Sequence, residues 1–383
     1  MASTGNGSIL DLYAIPINKD FEDDIITETG SELSSDDMDR TQSQQRLYII
    51  NRSGSGEAQY VLLNKKRTGI DSYGVRLETW RLIKNVADFG VAVIDNVLYI
   101  IGGYDVINCR HLHRVVKYDP YDFSWRECSP LMKARAKMGI CTLEGKIYVC
   151  GGERSDGRAS CSCEVYNPEL DQWSETGLMV APRKNHCCDT YQSEMYCAGG
   201  DFGTRSHDNF WIFENERWQE LDFDYPPKLP RCLDRYAMCT VGHKTYFIGG
   251  VSCRVSDNGE GNKFTTERGI FSYTHNIRQK SFLHGLQSDV ISPWSTKYSS
   301  MVRPRHSCAA HPVGKKIYVF GGCHLETGQD VRVCECFDTD KGTWEDEFHF
   351  RKGDLTSVVS AVLEVPRRHD AEKIKYYLKW VMW

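Results

Sequence analysis

Five times along the chain an apolar run closes on two glycines. The runs are VLYIIGG at Gly102-Gly103, KIYVCGG at Gly151-Gly152, EMYCAGG at Gly199-Gly200, KTYFIGG at Gly249-Gly250 and KIYVFGG at Gly321-Gly322. They are β-branched and aromatic without helical spacing, so each predicts a strand. A second strand follows and ends in a turn signal, as in Lys117–Trp125 and Glu164–Trp173, where Asp-Pro or Asn-Pro starts the turn. A tryptophan then opens an outermost strand: Trp125, Trp173, Trp218, Trp294 and Trp344. The first glycines lie 49, 48, 50 and 72 residues apart. A period near 50 built on Gly-Gly and Trp predicts small sheets stacked around an axis, because a single four-stranded sheet cannot bury both of its faces.

These residues resemble the kelch-repeat family, most closely the propellers of BTB-kelch proteins. The likeness extends to the strands Glu164–Asn167 and Glu335–Asp338 and to an arginine sixteen residues before the first glycine, at Arg135, Arg183 and Arg305. It covers roughly residues 46 to 365 and implies an all-β, six-bladed kelch β-propeller of four-stranded antiparallel blades. A weaker copy opens the chain: Leu47–Ile50 fits the strand, Asn51-Arg52 replaces the glycines, Tyr60–Leu63 fits the next strand and Trp80 stands for the tryptophan. This first blade lacks one strand. Ser357–Val365, ended by Pro366, is strand-like and otherwise unassigned, so it is expected to pair beside 46–50 and close the ring. A five-bladed ring with 46–82 as an extension is the alternative.

The segments outside the repeat differ in kind. Residues 1–45 carry ten acidic side chains against Lys19 and Arg40, which predicts a disordered acidic tail. Within it, Ile9–Ile17 could serve as a docking motif and Ser34–Asp37 as a phosphorylation site; a plain solvated tail is the simpler reading. Residues 366–383 form a basic, aromatic end that would pack on the propeller, lie on a membrane or fill a partner's groove. The long fifth interval predicts a polar, glycine-rich loop over Val251–Glu267 and a second excursion over about His275–Pro293.

Sixteen cysteines raise the question of disulfides, but Cys150, Cys197, Cys239 and Cys308 sit inside apolar strands, where cysteine acts as a small hydrophobe. Residues 1–16 lack a basic start and apolar block, which points to a reduced, cytoplasmic protein. No run is long enough to span a membrane. Cys161–Cys163 and Cys334–Cys336 have metal-pair spacing but fall in different blades, and Cys187-Cys188 reads as strand filler. No phosphate loop, zinc-protease motif or nucleophile elbow is present. The expectation is no catalytic residue, no metal and no cofactor. The resemblance leaves a kelch-fold enzyme, a copper oxidase or sugar isomerase, as a minor alternative. The near-neutral propeller beside an acidic tail predicts no nucleic-acid partner.

In the BTB-kelch family the propeller face that holds partner peptides uses positions fifteen and fourteen before the first glycine. Here these are Ala87 and Asp88, Ala136 and Lys137, Lys184 and Asn185, Asp234 and Arg235, and His306 and Ser307. Just past the glycines come Tyr104, Arg154, Phe202 and His324. The partner-binding set is therefore Tyr104, Lys137, Arg154, Lys184, Asn185, Phe202, Arg235, His306, Ser307 and His324. Its basic and aromatic members predict a protein partner presenting an acidic peptide segment, for which the chain's own tail could compete. The resemblance implies substrate recognition for a cullin-type ubiquitin ligase. About 45 residues precede the propeller, so a BTB domain would have to be supplied elsewhere. An actin- or cytoskeleton-binding scaffold is the alternative role.

Overall fold

The computed structural model describes residues 43–64, 68–70, 76–203, 205–220, 228–255, 262–275 and 292–366. The expectations for the acidic tail over 1–42, the loop tip over 256–261, the excursion over 276–291 and the end over 367–383 lie outside these residues.

Six four-stranded antiparallel sheets follow one another among the described residues. Each glycine pair sits just past a second strand: Val97–Ile101, Lys146–Cys150, Glu194–Ala198, Lys244–Ile248 and Lys316–Phe320. Both glycines of every pair are at positive φ, from 54° to 104°. At Gly151 a Cβ would also lie 2.6 Å from the Arg183 carbonyl oxygen, so backbone crowding and backbone angle both select glycine there. The arginine spacing has a similar cause. Arg135, Arg183 and Arg305 each donate from Nη1 to the carbonyl of the first glycine of their pair, at 2.8, 2.8 and 3.1 Å.

Each sheet runs inner to outer. The inner strands are Val358–Pro366, Gly90–Ile94, Gly139–Leu143, Cys187–Tyr191, Ala237–Val241 and Ala309–Val313, and each touches the next, with the last back on the first. The ring closes as the terminal strand suggested. Val358–Pro366 pairs antiparallel with Ser43–Asn51 from Ser43 opposite Pro366 to Asn51 opposite Val358. Both partners reach past the expected boundaries of 46 and 365, because the Gln45 amide bonds Glu364 and extends the ladder.

The outer tryptophans fill the gaps between sheets, which explains their period. Trp173 packs with Tyr99 and Val115 of the preceding sheet and donates to the Ser129 carbonyl at 2.8 Å; Trp344 donates to Ser299 at 2.9 Å. Trp80 departs from this pattern. It follows the outer strand Arg76–Thr79 instead of opening it, and packs tilted against Tyr48 and Tyr118 and edge-on against Trp125. The fifth-blade insertion is also different from the expected loop. Val251–Val255 and Asn262–Thr266 form a β-hairpin whose first strand pairs with Leu233–Asp234. Its alternation of Cys253, Arg254, Phe264 and Thr265 supports strand pairing despite the polar, glycine-rich tip. No helix among the described residues is long and apolar enough to cross a membrane.

Candidate functional site

The expected contact positions converge on one mouth of the central channel. Asp88, Lys137, Asn185, Arg235 and Ser307, each fourteen residues before a first glycine, all adopt φ between 51° and 57°. Such angles cost non-glycine residues free energy unless surrounding structure imposes them. Here each N–H reaches a carbonyl of the preceding blade, and from Lys137 onward that of the residue in the same repeat position: Asp88 to Arg52 at 3.0 Å, Lys137 to Asp88 at 3.0 Å, Asn185 to Lys137 at 2.9 Å, Arg235 to Asn185 at 3.0 Å and Ser307 to Arg235 at 2.7 Å. Val358 to Ser307 at 3.0 Å and Arg52 to Ser357 at 2.8 Å complete the circle. A closed collar of main-chain hydrogen bonds ties all six blades together at this mouth, and the side chains of the collar residues are thereby presented at it.

The basic members of the site are not free charges. Glu153 sits between Lys137, at 3.1 Å, and Lys184, and also meets His111 at 3.2 Å. Burial pushes its pKa up, but the two ammonium groups outweigh this and hold the carboxyl below its usual range. Arg154 pairs with Asp156 at 3.0 Å, and Arg235 with the buried Asp234 at 2.7 Å. The basic rim read from the cations alone is therefore internally neutralised, Arg154 and Arg235 by acids within two residues along the chain and Lys137 and Lys184 by the sequence-distant Glu153. Asn185 donates to Asp201 at 2.7 Å. Tyr104 is half-buried and meets His111 edge-on at 5.2 Å; Phe202 is exposed beside His207.

His306 is buried, with Nδ1 3.0 Å from the Ser307 hydroxyl and Nε2 3.4 Å from the Cys323 sulfur. Its neighbour His324 is half-buried with an unpartnered Nδ1. Burial, then Arg235 and His324, push the pKa of His306 down to about 4; burial and His243 do the same to His275. Both folded values lie below the ordinary value near 6.5, so the unfolded chain takes up protons first. The stabilising contribution is complete above about pH 7.5, falls as pH drops through 6.5, and levels off below 4. At pH 5 each histidine should cost on the order of 2 kcal/mol. Urea midpoints at pH 7.5 and 5 measure this, and His275→Phe should remove one histidine's share of the difference while leaving that of His306.

A cavity of about 330 Å³ on this face lies where the fourth, fifth and sixth blades meet. It brings together Lys184, Asn185 and Arg235 of the expected set and adds Arg205, Phe264 and Leu325. Tyr104 and Arg154 lie outside it, and Lys137 and Ser307 line the channel mouth beside Arg52 instead. Arg205 is exposed and makes no ion pair among the described residues. Phe264 comes from the fifth-blade hairpin and is likewise exposed. Neither was visible as a site residue in the sequence. Arg205 lies just beyond the glycine-phased window, and Phe264 falls in a stretch that reads as a polar loop.

The chain matches the KLHDC2/KLHL20/DRC7 Kelch-repeats domain over residues 88–276 and the Kelch motif over residues 304–347, together more than half of its length. It belongs to the kelch-repeat family. Similar proteins include Kelch-like protein 26 of Danio rerio, 24% identical over 68% of this chain and 40% of the relative. Kelch repeat and BTB domain-containing protein 1 of cowpox virus is 25% identical over 73% of this chain and 45% of the relative. The chain thus spans less than half the length of these two proteins. The solved structure of YjhT superposes with a TM-score of 0.59 at 14% identity, covering 79% of this chain and 96% of that one, a likeness of fold. Kelch-repeat propellers of this kind are protein-interaction modules.

Proposed function

We propose that this kelch propeller binds a protein segment across the channel mouth, anchored in the cavity between the fourth, fifth and sixth blades. The observation that carries this reading is the pairing of one unneutralised cation, Arg205, with the exposed aromatic Phe264 around a notch of about 330 Å³. A segment with a carboxylate for Arg205 beside an apolar side chain for Phe264 and Leu325 suits that combination. Because Lys137, Lys184, Arg154 and Arg235 already have acidic partners, a partner with a single acid suits the face better than a run of acids. Asp201 and Asp234 also disfavour a polyanion. Substrate recognition within a cullin-type ligase fits this reading if a BTB region acts with the propeller; the name of the cowpox virus relative records such a combination for that protein.

The test is a peptide array of single-acid, apolar-flanked segments, probed with the full chain and with variants. Arg205→Ala and Phe264→Ala should each weaken capture about 10- to 100-fold, equivalent to roughly 1.5–3 kcal/mol. Lys146→Ala, at the start of a second strand away from the mouth, should change nothing. If the notch variants bind like the parent chain, the segment binds elsewhere.

A further inference from the structure

The gap between the third and fourth sheets is unlike the other five. Cys141, Cys150 and Cys163 face it from the third sheet, and Cys188 and Cys197 from the fourth, beside Met179 and Met195. His186 joins them. It follows the collar residue Asn185, at the position that Phe89, Met138, Tyr236, Cys308 and Val358 hold in the other blades, where each is a buried plug. His186 is only 4% exposed, and neither of its ring nitrogens has a hydrogen-bond partner. A buried imidazole with both nitrogens unmatched is costly, and here five blades show that an apolar side chain fits.

The atoms near that ring are sulfurs. A ligand nitrogen of His186 and the sulfurs of Cys188 and Cys197 all lie within 4.8 Å of one another. A single point can therefore lie within about 2.8 Å of all three, that spread divided by the square root of three. Small rotamer changes would bring this to the metal–sulfur distance of about 2.3 Å and metal–nitrogen distance of about 2.0–2.1 Å of a zinc site. The opposite wall leaves room, because Gly139 of the third sheet has no side chain. A Cβ there would lie 2.5 Å from His186 Nε2 and 2.6 Å from Cys188 Sγ. Cys188 also lies in contact with Cys141 and Cys150, which can offer a fourth sulfur.

A second, independent feature concerns charge. In the third and sixth sheets the fully buried Arg135 and Arg305 are neutralised by Glu164 and Glu335. Those glutamates stand opposite Val149 and Val319 in their ladders; the corresponding pair in the fourth sheet is Trp211 opposite Cys197. Arg183 is as buried as its counterparts but has no carboxylate. Its guanidinium lies 3.5 Å over the Trp211 ring, its Nη1 is 3.8 Å from Cys197 Sγ, and its Nε and Nη2 have no partner. A fixed cation without a counter-ion is strongly destabilising, and the nearest group able to carry negative charge is the Cys197 sulfur.

We propose that His186, Cys188 and Cys197 bind a thiophilic d10 cation, Zn²⁺ or Cu⁺, in the gap between the third and fourth sheets. Two thiol protons leave on binding, and soft sulfur ligands with one imidazole select these ions over hard cations. Two thiolates and an imidazole on Cu⁺ carry a net charge of −1. Zn²⁺ reaches the same charge with a third thiolate from Cys141 or Cys150. Either complex neutralises Arg183, which accounts for the missing carboxylate. The ion would pin two neighbouring blades together immediately below the collar, and Cys188, half-exposed on the channel-lining strand, gives it a way in.

The experiment uses the full chain, reduced, stripped with a chelator and titrated with Co²⁺ as an optical probe. Zn²⁺ and Cu⁺ are then added against competing chelators. One equivalent should bind with thiolate-to-cobalt charge-transfer absorption, displaceable by the preferred ion, and with a rise in Tm. His186→Phe, which places at this position the non-ligating residue that Phe89 supplies in the second blade, should weaken affinity at least about 100-fold, as should Cys188→Ala, since loss even of an outer-shell partner costs 10- to 100-fold. Both should fold in the metal-free state, and Cys323→Ala, remote from the cluster, should bind like the parent. The proposal is overturned if no stoichiometric ion is taken up, or if uptake and the Tm rise survive both ligand substitutions. A disulfide among these cysteines in unreduced protein, found by mass spectrometry in place of metal uptake, also overturns it.

Discussion

Truncation after Thr356 is expected to abolish the folded state. The lost strand, Val358–Pro366, supplies the whole inner edge of the first sheet and touches the inner strands of both the second and sixth. Leu363 and Val365 are fully buried, Val358 and Ala361 nearly so. Without them the Ser43–Asn51 strand presents an open row of N–H and C=O groups and its buried Leu47 and Ile49 face solvent, which is a template for aggregation. The expected result is insoluble protein or a species without a cooperative urea transition. Leu363→Ala is a milder version and should cost about 2–5 kcal/mol. A permutant joining Pro366 to Ser43 by a short turn and opened after Arg351 should fold, since those two ends already lie opposite each other. A truncated chain that unfolds cooperatively at the parent midpoint would refute the closure.

Removing one partner of the buried Arg305–Glu335 pair should cost about 3–5 kcal/mol, because it leaves a desolvated charge without compensation. Both side chains are fully buried; Glu335 also accepts the Val302 N–H at 2.7 Å, while Arg305 holds the Gly321 and Val333 carbonyls at 3.1 Å each. Glu335→Ala and Arg305→Met should therefore each lower the urea midpoint sharply with little change in slope. The double variant should lose clearly less than the sum, because the stranded charge is gone and only neutral hydrogen bonds remain unmade. Strict additivity of the two losses would show that the pair is not coupled and that backbone contacts alone explain the singles.

The repeat arithmetic made most of the architecture legible. Gly-Gly at strand ends, Trp on the outer strands and the arginine sixteen residues upstream are imposed by contacts that recur in each blade, so their spacing survives in the sequence. The terminal strand was legible for a related reason: one blade lacked a strand, and one strand lacked a blade. Trp80 misled because a residue can sit near the expected count and still lie beyond its strand. The fifth-blade hairpin misled because its Gly- and Asn-rich tip dominates the composition while pairing is decided by the flanking residues.

By itself the sequence determined the fold, the ring closure and the common phase of the collar residues Asp88, Lys137, Asn185, Arg235 and Ser307, since a repeat phase is a one-dimensional record of a circular arrangement. Tertiary structure alone decided the chemistry of that mouth. Whether Lys137 and Lys184 are available depends on Glu153 lying within reach of both, and the sequence holds distances along the chain, not across it. The same holds for the sulfur cluster. Cys150, Cys188 and Cys197 belong to strands of two different sheets, and only the packing of one sheet against the next sets them beside a histidine with unmatched ring nitrogens and an arginine without a carboxylate partner. Periodicity constrains what every blade must do alike; charge and metal chemistry depend on what one interface does differently.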